Sequence, residues 1–422
     1  LAVKITETMD LKYYHINTKF IVLLLTVSLF ILIGYLRVHL NHSNLKDGYY
    51  KETIDILVHH PKMNIPKKHK KFTDQGYLDC LTHGQWYKSE QRGKYLERMK
   101  WIPNKDELTL PSGECGNKET VYQTFTSPTR RALCHPSSDK ACCYNNHCIT
   151  KSVEDCKCQG CLDLRSRLHA EEHIWRPDDT NNCQIREYES EPAVCDMLEQ
   201  KKVKNLIFVG NSLIRHMWTG LLILLNGNLE SGALLKSASS EDKVKCAFHM
   251  QFDLKFCRDL LIRDTTICNG KVKMAYQQRD RLSEIRASEK YIKSAKDFLF
   301  IFTIGLHDHL NFAQTKETLD QYFAALNFNK DRVIKNGSRI IWMTPHFPGL
   351  MLLPKYLDNY QSPADIKKYS ENMTDYLSEY KIPVMSTLQM TNHTFSWDGV
   401  HFGYGLNSQL AHIFLNYIHR YA

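Results

Sequence analysis

The stretch KNLIFVGNSLIRHMWTGLLILL, residues 204–225, limits the fold of this chain more than any other. Its apolar run over 206–209 reads as a buried strand, and the run after Ser212 reads as an apolar helix over 212–225. Gly210, Asn211 and Ser212 between them are turn residues. A strand passed to a helix through so short a turn is the opening unit of an α/β sheet. The turn also sets Ser212 at the helix N-terminus, where orphan N–H groups point outward and the dipole favours negative charge. Read alone, a serine there is more often a helix N-cap than a nucleophile. Far downstream, Asp398-Gly399-Val400-His401 places a carboxylate and an imidazole three residues apart, just ahead of the last helix. Ser212, His401 and Asp398 together supply a nucleophile, a general base and an orienting acid.

The C-terminal half continues the α/β pattern. Strands are expected over 298–304, 339–343 and 384–385, and helices over 316–335, 364–380 and 406–418. Strand-like stretches fall within 244–277, together with a bridge from Cys246 to either Cys257 or Cys268. This alternation implies a mainly parallel sheet with helices on both faces. Functional groups in such sheets gather at the carboxyl ends of the strands. Three apolar runs end suggestively, in Gly210-Asn211-Ser212, in Gly305-Leu306-His307 and in Thr344-Pro345-His346. His309 and His346 are expected to be structural or peripheral. No metal site is expected from His307, Asp308 and His309, because neighbours at a strand end do not converge on one ion. Trp342, Tyr356, Phe395 and Trp397 are candidates for stacking on a sugar, with core packing the expected role of most.

The N-terminal half speaks to compartment. Residues 20–36 form an uncharged apolar run flanked by Lys19 and Arg37, with no small-residue cleavage site after it. That pattern predicts an uncleaved signal-anchor, with residues 1–19 as a cytoplasmic tail. All 14 cysteines lie C-terminal to the run, as do four sequons, at Asn41, Asn336, Asn372 and Asn392. Cysteines in even number together with sequons predict an oxidising, glycosylating compartment. The expected topology is therefore type II, in the Golgi or another secretory-pathway membrane, with the C-terminal bulk lumenal. Residues 37–75, basic and polar, read as a stem, residues 76–200 as a cysteine-rich region and residues 201–422 as the catalytic domain. The close spacing of Cys142, Cys143, Cys148, Cys156, Cys158 and Cys161 would fit zinc in a cytosolic protein. In an oxidised lumen it reads as disulfides of unassigned pairing. The net charge of +9 comes without the interleaving of basic and aromatic residues that a nucleic-acid face needs.

The motifs resemble those of the SGNH superfamily of esterases and acyltransferases, in particular its PC-esterase branch. That branch holds the plant trichome-birefringence-like glycan O-acetyltransferases, animal sialic-acid O-acetyltransferases and neurexophilin-and-PC-esterase proteins. LIFVGNSLIRHMW at 206–218 is similar to their first block, and Asp398-Gly399-Val400-His401 to their last. Gly305-Leu306-His307 corresponds to their third block, and upstream His173-Ile-Trp-Arg-Pro and Gly84-Gln-Trp86 to their opening runs. The resemblance implies an SGNH-hydrolase-like three-layer α/β fold, with Ser212 as nucleophile, His401 as base and Asp398 as its orienter. It further implies oxyanion or substrate-binding roles for Asn211, Gly305, His307 and, with a structural role as alternative, Arg215. The sequence departs from the family at Asn211, where relatives carry aspartate. The implied activity is O-acetyl transfer or hydrolysis on a glycan or glycoprotein. It needs no bound cofactor, only an acyl donor such as acetyl-CoA or another acetyl ester as co-substrate. The rival expectation is a catalytically inactive lumenal binding or adhesion protein on the same fold. A glycosyltransferase would share the topology, but no convincing DxD-like motif is found.

Overall fold

The computed structural model describes residues 72–120, 130–253, 255–294, 297–326 and 339–421. The expected tail, membrane segment and most of the stem, with the sequons at Asn41 and Asn336, lie outside the described residues. Among the described residues, no helix is long and apolar enough to cross a membrane. His69–Ala422 form one compact unit.

Its centre is a six-stranded sheet. In chain order the strands are β1 (Asn205–Gly210), β2 (Asp264–Ile267), β3 (Val272–Gln278), β4 (Phe298–Thr303), β5 (Arg339–Met343) and β6 (Val384–Met385). Their spatial order is β6-β5-β4-β1-β3-β2. All neighbours run parallel except β2, which pairs antiparallel with β3 at one edge. Every residue of β4 is buried, and so is all of β1 beyond Asn205, as expected where helices cover both faces of a parallel sheet. The five parallel strands follow the doubly wound order 2-1-3-4-5, whose switch point lies between the first and third. Those are β1 and β4, in register with Thr303 opposite Gly210. The crevice at their carboxyl ends is where the turn before Ser212 and the turn at Gly305 meet.

Four longer helices flank the sheet: α1 (Ser212–Asn226), α2 (Phe312–Ala325), α3 (Pro363–Ser378) and α4 (Tyr404–Tyr421). α2 starts before the expected position because Asn311 caps it, its side chain accepting from the Gln314 amide at 3.1 Å. It ends at Ala325, with Leu326 as the C-cap, short of the end expected near residue 335, a position outside the described residues. α3 begins at a capping box in which Ser362 and Asp365 satisfy each other's amides. The stretch 244–277 is less extended than expected. Two short helices, Ser240–Lys245 and Met250–Asp253, precede β2, and the bridge Cys246–Cys257 closes a loop that contains the second. α1 and α4 lie against each other so closely that a Cβ on Gly220 would press into the backbone of Asn407. Glycine at 220 is what lets α4, and the loop before it, approach α1.

The cysteine-rich region is loops, short helices and two-stranded pairs held by disulfides. All 14 cysteines are bridged, as Cys80–Cys183, Cys115–Cys143, Cys134–Cys148, Cys142–Cys156, Cys158–Cys161, Cys195–Cys268 and Cys246–Cys257. Cys268 thus pairs with Cys195, and the Cys246 alternative resolves to Cys257. The region shares the main hydrophobic core, contributing Tyr77, Leu81, Trp101, Trp175 and Tyr188.

Candidate active site

Gly210 closes β1 with φ at 149°, a conformation L side chains rarely adopt, and a Cβ there would overlap the Thr303 carbonyl on β4. The chain can turn at once, and Asn211 caps α1 by accepting from the Leu213 amide at 3.0 Å. Ser212 follows as the first residue of α1, 8% exposed, with its amide among the helix's outward N–H groups.

The loop before α4 delivers the other two groups. Asp398 Oδ1 accepts from the amides of both Val400 and His401 at 2.8 Å, which folds the DGVH turn around the carboxylate. Asp398 Oδ2 is left to face His401 Nδ1 at 2.6 Å. His401 Nε2 then lies 2.6 Å from Ser212 Oγ. The three-residue spacing is therefore mechanical: one oxygen holds the turn and the other holds the ring. Ser396 Oγ steadies the loop by donating to the His401 carbonyl at 2.7 Å and accepting from Gly399 N at 3.0 Å.

Burial acts to raise the Asp398 pKa. The charge on His401, the His401 side-chain bond and the two backbone amides outweigh it and hold the carboxyl at about 2. Asp398 is thus ionised and can only accept, so Nδ1 of His401 carries the proton and Nε2 presents a lone pair to Ser212. Such an arrangement can take a proton from a serine hydroxyl and stabilise the imidazolium that results.

His216, a residue the sequence did not single out, backs the catalytic ring. Its imidazole stacks on His401 with centroids 4.7 Å apart and planes 28° apart. It also stacks on Trp397, at 5.4 Å and 16°, and meets Phe252 edge-on. Arg215 Nη2 lies 3.1 Å from His216 Nε2. A guanidinium only donates, so Nε2 must accept and His216 is the neutral Nδ1–H tautomer. Burial, the charge on His401 and the charge on Arg215 all push its pKa well below the ordinary value. Arg215 is itself 3% exposed, and burial lowers it to about 10. Its guanidinium serves His216, which fits the structural role rather than a direct one at the oxyanion.

The remaining expected site residues divide. Gly305 stands at the carboxyl end of β4 with φ at 97°, beside the turn of β1. His307 is exposed, and among the described residues it makes no hydrogen bond to the triad. Its carbonyl instead receives Arg281 Nη1 at 3.5 Å. Desolvation lowers its pKa, Asp280 raises it, and the charge on His401 lowers it, so it remains within electrostatic reach of the site. Asn211 is fully buried; its oxygen is spent on the α1 cap, and its Nδ2 has no hydrogen-bond partner among the described residues. An amide caps this helix without placing an uncompensated charge in the interior. His309 is exposed and stacks on Tyr360 at 4.3 Å, and His346 is buried and bonds Thr387 Oγ1 at 2.8 Å. Of the aromatic candidates, Trp342 is fully buried in the core and Trp397 is 4% exposed. Asn392 is exposed, and Asn372 half-buried on α3.

The cysteine-rich region grips the catalytic loop, which sequence reasoning also missed. Phe395 lies between Trp101, at 5.9 Å, and His169, at 4.3 Å, near parallel to both. Its amide donates to the Leu168 carbonyl at 2.7 Å, and the Leu168 amide to the His393 carbonyl at 3.1 Å. Arg130, over the Trp101 ring at 4.8 Å, faces buried Asp253 at 3.8 Å.

No family model and no curated protein matches this chain. Among solved structures it is similar to a lipolytic protein of the G-D-S-L family from Veillonella parvula (11% identity, TM-score 0.29), covering 51% of this chain and 97% of that one. It is also similar to the M. smegmatis aryl esterase (10% identity, TM-score 0.32), covering 52% of this chain and 100% of that one. A third is the lipase/acylhydrolase from Enterococcus faecalis (13% identity, TM-score 0.29), covering 52% of this chain and 96% of that one.

Proposed function

We propose that this chain is a serine acyl-ester enzyme. The observation that carries the reading is the continuous line of hydrogen bonds Ser212–His401–Asp398, at 2.6 Å in each of its two links. Ser212 attacks the acyl carbonyl while His401 takes its proton, and Asp398 stabilises the imidazolium. The Ser212 amide, at the α1 N-terminus, faces the developing oxyanion; one such donor is worth about 3 kcal/mol. His401 then returns the proton to the leaving alcohol, giving an acyl-serine. Water or a second hydroxyl, activated by the same histidine, completes the cycle.

The finer reading is O-acetyl transfer to, or removal from, a glycan in the secretory pathway. Its support is the likeness of the three sequence blocks to the PC-esterase branch, together with the bridged cysteines and the exposed sequon at Asn392. The triad's separate assembly from β1 and the loop before α4 agrees with the block spacing. The test is to supply p-nitrophenyl acetate and a panel of sugars to wild type and Ser212→Ala and to follow the acetyl group. Acetyl on a sugar with wild type alone establishes transfer; acetate alone establishes hydrolysis. Equal, background rates for the two proteins would overturn the enzymatic reading and leave a binding protein.

A further inference from the structure

The seven bridges are not equivalent. Cys80–Cys183, Cys195–Cys268 and Cys246–Cys257 tie elements of the main core, and each has at least one sulfur in that core. Cys158–Cys161 is different in three respects. It closes the shortest loop, with a sequence separation of 3, so it constrains the unfolded chain least and adds least to stability. Both its cysteines are half-buried among the exposed residues Glu154, Asp155, Lys157, Gln159 and Gly160. Its sulfurs also have chemically apt neighbours. Lys151 Nζ lies 3.8 Å from Cys158 Sγ, and Cys161 Sγ lies 4.0 Å from Cys142 Sγ of the next bridge. Lys151 Nζ also lies 4.8 Å from the centre of the Tyr144 ring, which sets the ammonium between that ring and Cys158.

We propose that Cys158–Cys161 is a thiol–disulfide exchange site, with Cys142–Cys156 as its internal second acceptor. An external small-molecule thiolate attacks Cys161 Sγ and expels Cys158 as a thiolate, the leaving group that Lys151 stabilises. A second external thiol resolves the mixed disulfide, leaving oxidised external disulfide and a Cys161 thiolate. Two electrons have then passed from two thiols to the protein, and their two protons end on Cys158 and, after the next step, on Cys156. Cys161 is in position to attack Cys142, forming Cys142–Cys161 and releasing Cys156. The final state has Cys156 and Cys158 as thiols and one bridge fewer, which balances the external disulfide formed. The CxxC spacing supplies the first step and the 4.0 Å sulfur separation the second.

The test uses the full folded chain in graded reduced glutathione, quenched with N-ethylmaleimide and, after complete reduction, labelled with its heavy form. Peptide mapping then orders the bridges by ease of opening. Cys158 is expected in the earliest label, together with Cys161 or Cys156, while Cys80, Cys183, Cys195 and Cys268 stay bridged. In a Cys158→Ser, Cys161→Ser double variant, early label at Cys156 should disappear. Opening of Cys158–Cys161 in step with Cys195–Cys268 would overturn the proposal. Undiminished early labelling of Cys156 in the double variant would overturn the relay.

Discussion

His216 touches both the catalytic ring and a buried cation, and two substitutions separate these roles. His216→Gln retains an acceptor for Arg215 but removes the ring stacked 4.7 Å from His401. An aromatic contact of this kind is worth about 0.5–1.5 kcal/mol. If that energy holds the His401 plane in line with Ser212, kcat should fall by about 2- to 13-fold at unchanged KM. His216→Phe retains the ring but leaves a buried Arg215 donor without its acceptor, at a cost of about 1.5–3 kcal/mol. The loss should appear as a drop in Tm of several degrees, with kcat close to wild type. Steady-state hydrolysis of p-nitrophenyl acetate and thermal unfolding of the same preparations read both quantities. A crossed result, kcat lost in the glutamine variant and Tm in the phenylalanine variant, supports the two roles. Full kcat in His216→Gln would refute the claim that the stack positions His401.

Three further outcomes follow from the same geometry. Asp398→Asn removes the anion that fixes the His401 tautomer, and kcat should fall on the order of 10³- to 10⁴-fold; a loss below tenfold would mean that the turn alone orients the ring. Burial holds His169, His346 and His412 at about 3, and His216 also lies below the ordinary value. A folded pKa below the unfolded value near 6.5 means that the unfolded chain binds more protons, so their stability is whole above about pH 6.5 and is lost as pH falls. His169, His346 and His412 each cost about 2 kcal/mol between pH 7 and pH 5. Glu171 and Asp253, raised by burial, act oppositely and return part of it. A steep fall in Tm over that range is expected, and a flat profile would contradict neutral burial of these rings. Trp101→Ala removes one side of the clamp on Phe395, and kcat should drop while the bridges stay closed; unchanged kcat would show that the clamp does not reach Asp398.

Much of this site was legible because it is written in contiguous stretches. The strand, the turn at Gly210 and the helix after Ser212 share one run of chain. The Asp398–His401 spacing encodes its own turn, since one carboxylate oxygen caps it. Both signals survive without knowledge of the tertiary fold. His216 was not legible, because in sequence it is one more residue of an apolar helix, and its partner ring arrives from a loop 185 positions away. His307 sits at the strand end where block order places it, but the turn there runs through left-handed conformations at His309 and Leu310, and the side chain is exposed. Strand-end position fixes where a residue is and not where it points. The role of the cysteine-rich region was hidden for the same reason. Nothing near Trp101 or Leu168 in sequence announces that Phe395 will pack on them.

The central claim is that His401 activates Ser212 on the folded chain. Its most direct measurement is labelling by a fluorophosphonate, with the modified peptide sequenced, for wild type, Ser212→Ala and His401→Ala. The account predicts stoichiometric modification at Ser212, none in Ser212→Ala, and labelling slowed by orders of magnitude in His401→Ala. An unlabelled wild-type Ser212, or labelling indifferent to His401, would contradict it.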